Sequence, residues 1–208
     1  MNLQTIANVE LGDGVHCFQK CFPYIQELKC TASEKEYEYD FKTLTCLEKL
    51  KLIGFFRRTN HNIFPATLKT LTLVECFLPW SDMSIIQLLP NLQVLKLKED
   101  AFEGSCWNTD GHEFPQLKFL RLETLNVKQW EAYSTSFPCL RQLEIIYCKY
   151  LEEIPLEIGE IPTLELIKIK YCRHSVCESV RKIQEEQHDF GNYYLKIDIS
   201  YGLGFYKD

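Results

Sequence analysis

Long apolar runs are missing. Nowhere in the 208 residues does an uninterrupted apolar stretch approach the ~18 residues of a membrane span, so no transmembrane segment is expected. The opening Met1-Asn2-Leu3-Gln4-Thr5-Ile6 has neither a basic n-region nor a continuous apolar core, and is not expected to act as a secretory signal. Positive charge is in deficit: 23 Lys and Arg face 29 Asp and Glu, and a net charge of −6 argues against a general nucleic-acid binder. Glycine is scarce. None of the nine is followed by lysine, so the chain has no G-x-x-x-x-G-K-[ST] phosphate loop and no nucleotide cofactor is expected. H-E-x-x-H and G-x-S-x-G are absent and the five histidines are scattered, so no catalytic residue is expected. Cysteine is plentiful, at ten residues, but without a leader these are expected to stay reduced in a soluble, cytoplasmic chain. Neither Cys172-Arg-His174-Ser-Val-Cys177 nor His16-Cys17-x-x-x-Cys21 has the paired C-x-x-C spacing of structural zinc, so no metal site is expected.

A repeat fills the space these absences leave. The pattern L-x-x-L-x-L, with other apolar residues allowed, occurs at Ile25-x-x-Leu28-x-Cys30, Leu47-x-x-Leu50-x-Leu52 and Leu68-x-x-Leu71-x-Leu73. It continues at Leu92-x-x-Leu95-x-Leu97, Leu117-x-x-Leu120-x-Leu122, Leu140-x-x-Leu143-x-Ile145 and Leu164-x-x-Ile167-x-Ile169. A partial copy, Leu3-x-x-Ile6, comes first, and successive starts differ by 21 to 25 residues. Those intervals fall in the range of about 20–29 residues of leucine-rich repeats. The x-L-x-L core alternates with period two, which predicts a short strand with its leucines on one face. A single coil cannot bury that face, whereas parallel neighbours make it continuous. The predicted fold is an α/β solenoid, a leucine-rich-repeat horseshoe with a parallel concave sheet and irregular convex loops.

Local signals agree with that frame. Cys76, Cys148 and Cys172 occupy the ninth repeat position, where Asn or Cys turns inward to satisfy backbone groups. Phe22-Pro23, Leu89-Pro90, Phe114-Pro115 and Phe137-Pro138 precede strands, and proline there fixes φ. Asp82 to Leu89 reads as a short helix capped by Ser81 or Asp82, and Leu151 to Gly159 as extended turns. Val176, Val180 and Ile183 recur at helical spacing between Ser175 and Gln187, predicting an amphipathic C-terminal capping helix. Tyr193 to Ile199 offers a final strand. Residues 1–172 are therefore assigned to about eight coils, 173–200 to the cap and 201–208 to a tail. The acidic run Glu34 to Asp40 reads as a solvated loop.

The outward position at the middle of each strand gives a column of Lys29, Lys51, Thr72, Lys96, Arg121, Glu144 and Lys168. Five of these seven are basic in an acidic chain. Phe119, Tyr147 and Tyr171 stand close by, and aromatics beside arginine are typical of interface hot spots. The expected partner is a protein with an acidic surface. Lysine on exposed strands also opposes wrong pairing, which is the plainer reading of the same column.

The repeats lack the L-x-G-x-I-P signature and strict spacing of extracellular plant receptors. Phe137-Pro-Cys-Leu-Arg-Gln-Leu-Glu-Ile-Ile-Tyr-Cys148, Leu151-Glu-Glu-Ile-Pro155, Ile158-Gly-Glu-Ile-Pro-Thr-Leu164 and Glu185-Glu-Gln-His-Asp-Phe-Gly191 carry a more specific likeness. Over roughly residues 3 to 200 the chain resembles the C-terminal repeats of plant intracellular nucleotide-binding leucine-rich-repeat disease-resistance proteins, of the late blight resistance type. That resemblance implies a role in innate immunity and the hypersensitive response. It implies that the repeats recognise a pathogen effector and restrain the receptor's own nucleotide-binding domain, in the cytoplasm or at the membrane periphery. With no phosphate loop present, nucleotide binding is not carried over, Gln187-His188-Asp189 is read as helix-end polarity, and the chain is expected to be a fragment. The alternative is the substrate-recognition half of an F-box ubiquitin-ligase adaptor, which also uses irregular intracellular repeats.

Overall fold

The computed structural model describes residues 3–11, 21–32, 40–54, 63–109, 111 and 113–201. Met1 and Asn2, the His16 and Cys17 pair, the acidic run through Tyr39 and the tail from residue 202 lie outside them.

Most repeats enter their strand through a tight turn. The residue before proline accepts a hydrogen bond from the apolar residue three positions on: Ile25 N–H to Phe22 (3.2 Å), Leu92 to Leu89 (3.4 Å), Leu117 to Phe114 (3.3 Å), Leu140 to Phe137 (3.1 Å) and Leu164 to Ile161 (3.1 Å). Proline occupies the second position of this β-turn, where its fixed φ is already the one required. The strands follow in chain order as β1 (Thr5–Leu11), β2 (Glu27–Ala32), β3 (Lys49–Ile53), β4 (Thr70–Val74), β5 (Leu78–Pro79), β6 (Val94–Lys98) and β7 (Phe102–Glu103). Next come β8 (Cys106–Asn108), β9 (Phe119–Glu123), β10 (Gln129–Glu131), β11 (Gln142–Ile146), β12 (Leu166–Lys170) and β13 (Lys196–Ser200).

Nine of these form one parallel sheet in the order β1-β2-β3-β4-β6-β9-β11-β12-β13. The repeat leucines stand in register across it: Leu28, Leu50, Leu71, Leu95, Leu120, Leu143 and Ile167 make one row. Cys30, Leu52, Leu73, Leu97, Leu122, Ile145 and Ile169 make the next, and all fourteen are buried. Burial of each such leucine is worth ~1.5–3 kcal/mol, which is why strand positions recur every coil while the loops vary. In β1, Ile6 pairs with Leu28 as the partial copy requires, but a bulge at Asn8 (φ 60°) shifts the register beyond it. This large parallel sheet with few helices is compatible with the α/β solenoid the repeats predict.

The chain leaves the strands by one recurring device. Gly54, Glu75, Glu99, Thr124, Tyr147 and Tyr171 directly follow β3, β4, β6, β9, β11 and β12, and all have positive φ. Five of the six are not glycine, and each puts its N–H onto a carbonyl of the next coil, as Thr124 does to Ile146 (2.9 Å) and Tyr147 to Lys170 (2.9 Å). Those inter-coil bonds hold residues in a region of φ that side chains ordinarily avoid.

The far side is more ordered than loops. β5 pairs with β7 and β8 with β10, both in parallel. Trp80 stacks on Phe102 (centroids 4.8 Å) and Trp107 (4.9 Å), and Trp107 on Trp130 (5.3 Å), close to the ~4.8 Å strand spacing. The short helix Met83–Gln87 has Asp82 at its N-cap, yet no side chain bonds the helix end there. Residues 156–160 form a 3-10 turn, tighter than the extended geometry read from the sequence. The C-terminal helix His174–Asp189 buries Val176, Cys177, Val180 and Ile183. Ser179 Oγ ties it down, accepting from the Ile154 N–H (3.0 Å) and donating to the Val176 carbonyl (2.8 Å). A Cβ on Gly159 would fall 2.7 Å from Ile183 Cγ2, so only glycine permits this close approach.

Candidate protein-recognition surface

The open face of the sheet carries the outward residues of every strand. Lys29, Lys51, Thr72, Lys96, Arg121, Glu144 and Lys168 are direct register partners, strand to strand, and Asp198 of β13 extends the column. All five basic members are half-buried, their stems lying along the sheet.

The column is not electrostatically uniform. Glu144, only 7% exposed, accepts a hydrogen bond from Gln142 Nε2 (2.8 Å). The same carboxylate pairs with Lys168 Nζ (3.3 Å) and Arg121 Nη1 (3.4 Å). Arg121 Nε lies 2.8 Å from Glu123 Oε2, which also takes Lys98 Nζ at 2.8 Å. Burial pushes the Glu123 carboxyl up, but Lys98 and Arg121 more than offset it and hold it below the usual carboxylate value. Arg121 and Lys168 are therefore committed within the sheet face. Lys96 lies over the Phe119 ring, 5.5 Å from its centroid. Among the described residues no carboxylate pairs with Lys29, Lys51 or Lys96. The unspent positive charge gathers toward the N-terminal strands, where Lys29, Lys51, Thr70 and Thr72 line a shallow groove.

The aromatic residues divide between the two margins. Phe119 stands where the strands begin. Tyr147 and Tyr171 stand where they end, stacked on each other with centroids 4.5 Å apart in the left-handed exit positions. The sequence pattern sets Glu144 in the column and Phe119, Tyr147 and Tyr171 beside it, but it misses Glu123 and Lys98 and the pairing of Glu144 with its neighbours. The signal for Glu144 was its place as the lone acid in the column between two cations.

Buried thiols mark the repeat position instead of a reactive site. Cys76 Sγ donates to the Val74 carbonyl (3.4 Å), Cys148 to Ile146 (3.7 Å) and Cys172 to Lys170 (3.4 Å). Burial pushes Cys76 and Cys172 up to about 12 and Cys148 to about 11. No group of three metal-ligating side chains stands together among the described residues, and none of their helices is long and apolar enough to cross a membrane.

The repeats thus build in-register parallel strands with a polar sheet face, on which Lys29, Lys51 and Lys96 have no acidic partner among the described residues. The chain is related in sequence to the late blight resistance proteins of Solanum demissum. It is 32% identical to late blight resistance protein homolog R1B-16 over 183 residues, 84% of this chain and 14% of that protein. Homolog R1B-12 is 32% identical over 185 residues, covering 85% of this chain and 14% of the homolog. Homolog R1B-23 is 33% identical over 172 residues, 79% of this chain and 14% of the homolog. The chain thus spans about one seventh of the length of these curated relatives. No family model matches it.

Proposed function

We propose that the chain is the protein-binding leucine-rich-repeat module of a plant disease-resistance protein, acting by recognition without catalysis. In this reading the sheet is the concave face of a horseshoe in the cytoplasm, and it meets an acidic protein surface. That surface belongs to a pathogen effector or to a nucleotide-binding switch domain that the repeats restrain. The observation that carries the reading is the column Lys29–Lys51–Lys96, free of acidic partners among the described residues while its C-terminal continuation is neutralised. The names of the relatives support the biological setting. Complementary charge at this face would govern association rate and partner choice more than raw affinity.

The test uses Lys29→Glu, Lys51→Glu and Lys96→Glu together, since none of the three holds the sheet through an ion pair. Binding to a nucleotide-binding domain of a late blight resistance protein, supplied as a separate chain, is expected to fall about tenfold or more. Its salt dependence should flatten, with circular dichroism unchanged. Equal binding by the triple variant would overturn the assignment.

A further inference from the structure

We propose a second docking surface, at the margin where β9, β11, β12 and β13 begin, for an extended acidic segment carrying one apolar anchor. The proposal rests on the reading of the chain as a protein-binding module but uses residues outside the lysine column. Phe119, Gln142, Leu166 and Lys196 are register partners on four successive strands, and Tyr194 closes the groove they line. Phe119 and Leu166 are half-buried on either side of Gln142 and Tyr194 is 86% exposed, so the groove has a partly apolar floor open to solvent.

Charge at the rim decides what fits. The residues just before the strands form a ladder of their own: Lys69 pairs with Glu48 (2.7 Å), Lys118 bonds only the neutral Gln93 (3.2 Å), and Arg141 pairs with Glu165 (2.6 Å). Arg141 and Glu165 cancel. Lys118 and Lys196 have no acidic partner among the described residues, and they bracket this floor from its two ends. The result is a local positive excess on a chain of net charge −6.

The spacing specifies the ligand. Lys118 and Lys196 are separated by three strand steps, about 14 Å at ~4.8 Å per step. An extended peptide rises ~3.4 Å per residue, so side chains at i and i+4 lie on one face about 14 Å apart, with i+2 between them. The groove therefore fits acid–x–apolar–x–acid: two carboxylates reach the lysines and a large central side chain seats against Leu166 and the stem of Gln142, with Phe119 beside it. A helical peptide would place i and i+4 only ~6 Å apart and reach one lysine alone.

Fluorescence anisotropy of a labelled Gly-Glu-Ser-Phe-Ser-Glu-Gly peptide against the full chain tests this. Saturable binding is expected. It should weaken about tenfold in the double variant Lys118→Glu, Lys196→Glu, two exposed ion pairs plus the added repulsion amounting to that factor. Replacing the peptide's Phe by Ser, or its two Glu by Lys, should have the same effect. Lys29→Glu with Lys51→Glu should leave this peptide's binding unchanged. Absence of saturable binding up to about 1 mM, or equal binding by the Lys118, Lys196 variant, would overturn the proposal. A silent peptide alongside partner binding that still depends on Lys29 and Lys51 would remove this groove and leave the proposed function standing.

Discussion

Glu144 shows how one side chain changes the meaning of a charge pattern. Withdrawing a carboxylate from water is costly, and here a Gln142 hydrogen bond and two cations compensate. Removing it would leave Arg121 and Lys168, both about three-quarters buried, facing each other across β11. Glu144→Ala is therefore expected to cost about 1–3 kcal/mol in urea unfolding. A change near zero would mean that Glu144 does not hold Lys168, and would return that lysine to the binding column, while Arg121 keeps Glu123. The sequence reaches the column because the repeat sets its register. It does not reach the pairing, because Glu144 meets partners 23 and 24 positions away through rotamers that no linear pattern encodes. The two tyrosines have a similar history. Their proximity follows from the repeat, but their stacking follows from the left-handed φ of the exit position, which composition does not mark at Tyr147 or Tyr171.

Strands were legible for a physical reason that convex segments lack. Each strand must match its neighbours residue for residue, so its leucines recur at fixed offsets, and seven repeats predicted the strands of one ladder. The far side need only fill space. Trp80, Trp107 and Trp130 make their stack from different offsets relative to the leucines, and the stack escapes a pattern search. The ninth-position cysteine stands between these cases, recurrent in sequence and buried in the structure. Its chemistry predicts alkaline behaviour. Burial pushes Cys76 and Cys172 up to about 12 and Cys148 to about 11 from the ordinary 9, and it does the same to Cys30 in the leucine row, to about 12. Above that ordinary value the unfolded chain has lost thiol protons that the folded chain keeps, so stability falls with pH. The contribution is complete below about pH 9 and is lost as pH rises toward 12. Urea midpoints should decline across that window, and Cys76→Ala with Cys148→Ala should shallow the decline. An identical slope in the double variant would show that these thiols are not held protonated by folding.

At the scale of the whole molecule, each coil touches mainly the coils beside it, so position along the stack decides how far a lesion travels. Leu120 is fully buried between Leu95 and Leu143 and belongs to the middle of the nine-stranded sheet. Ile6 sits in β1, the outermost strand of the described sheet, and is only half-buried. An aspartate at either position places a carboxylate against apolar neighbours, but solvent can reach the one at the edge. Leu120→Asp should therefore separate the stack into two short blocks, neither with enough neighbours to hold its core, and cost several kcal/mol. Ile6→Asp should release β1 alone. Amide hydrogen exchange distinguishes the two outcomes: Leu120→Asp should remove protection from β2 through β12, whereas Ile6→Asp should remove it from β1 and the facing edge of β2. If Leu120→Asp left the protection of β3 and β12 intact, the coils would be independent units and the continuous core would not be what holds them.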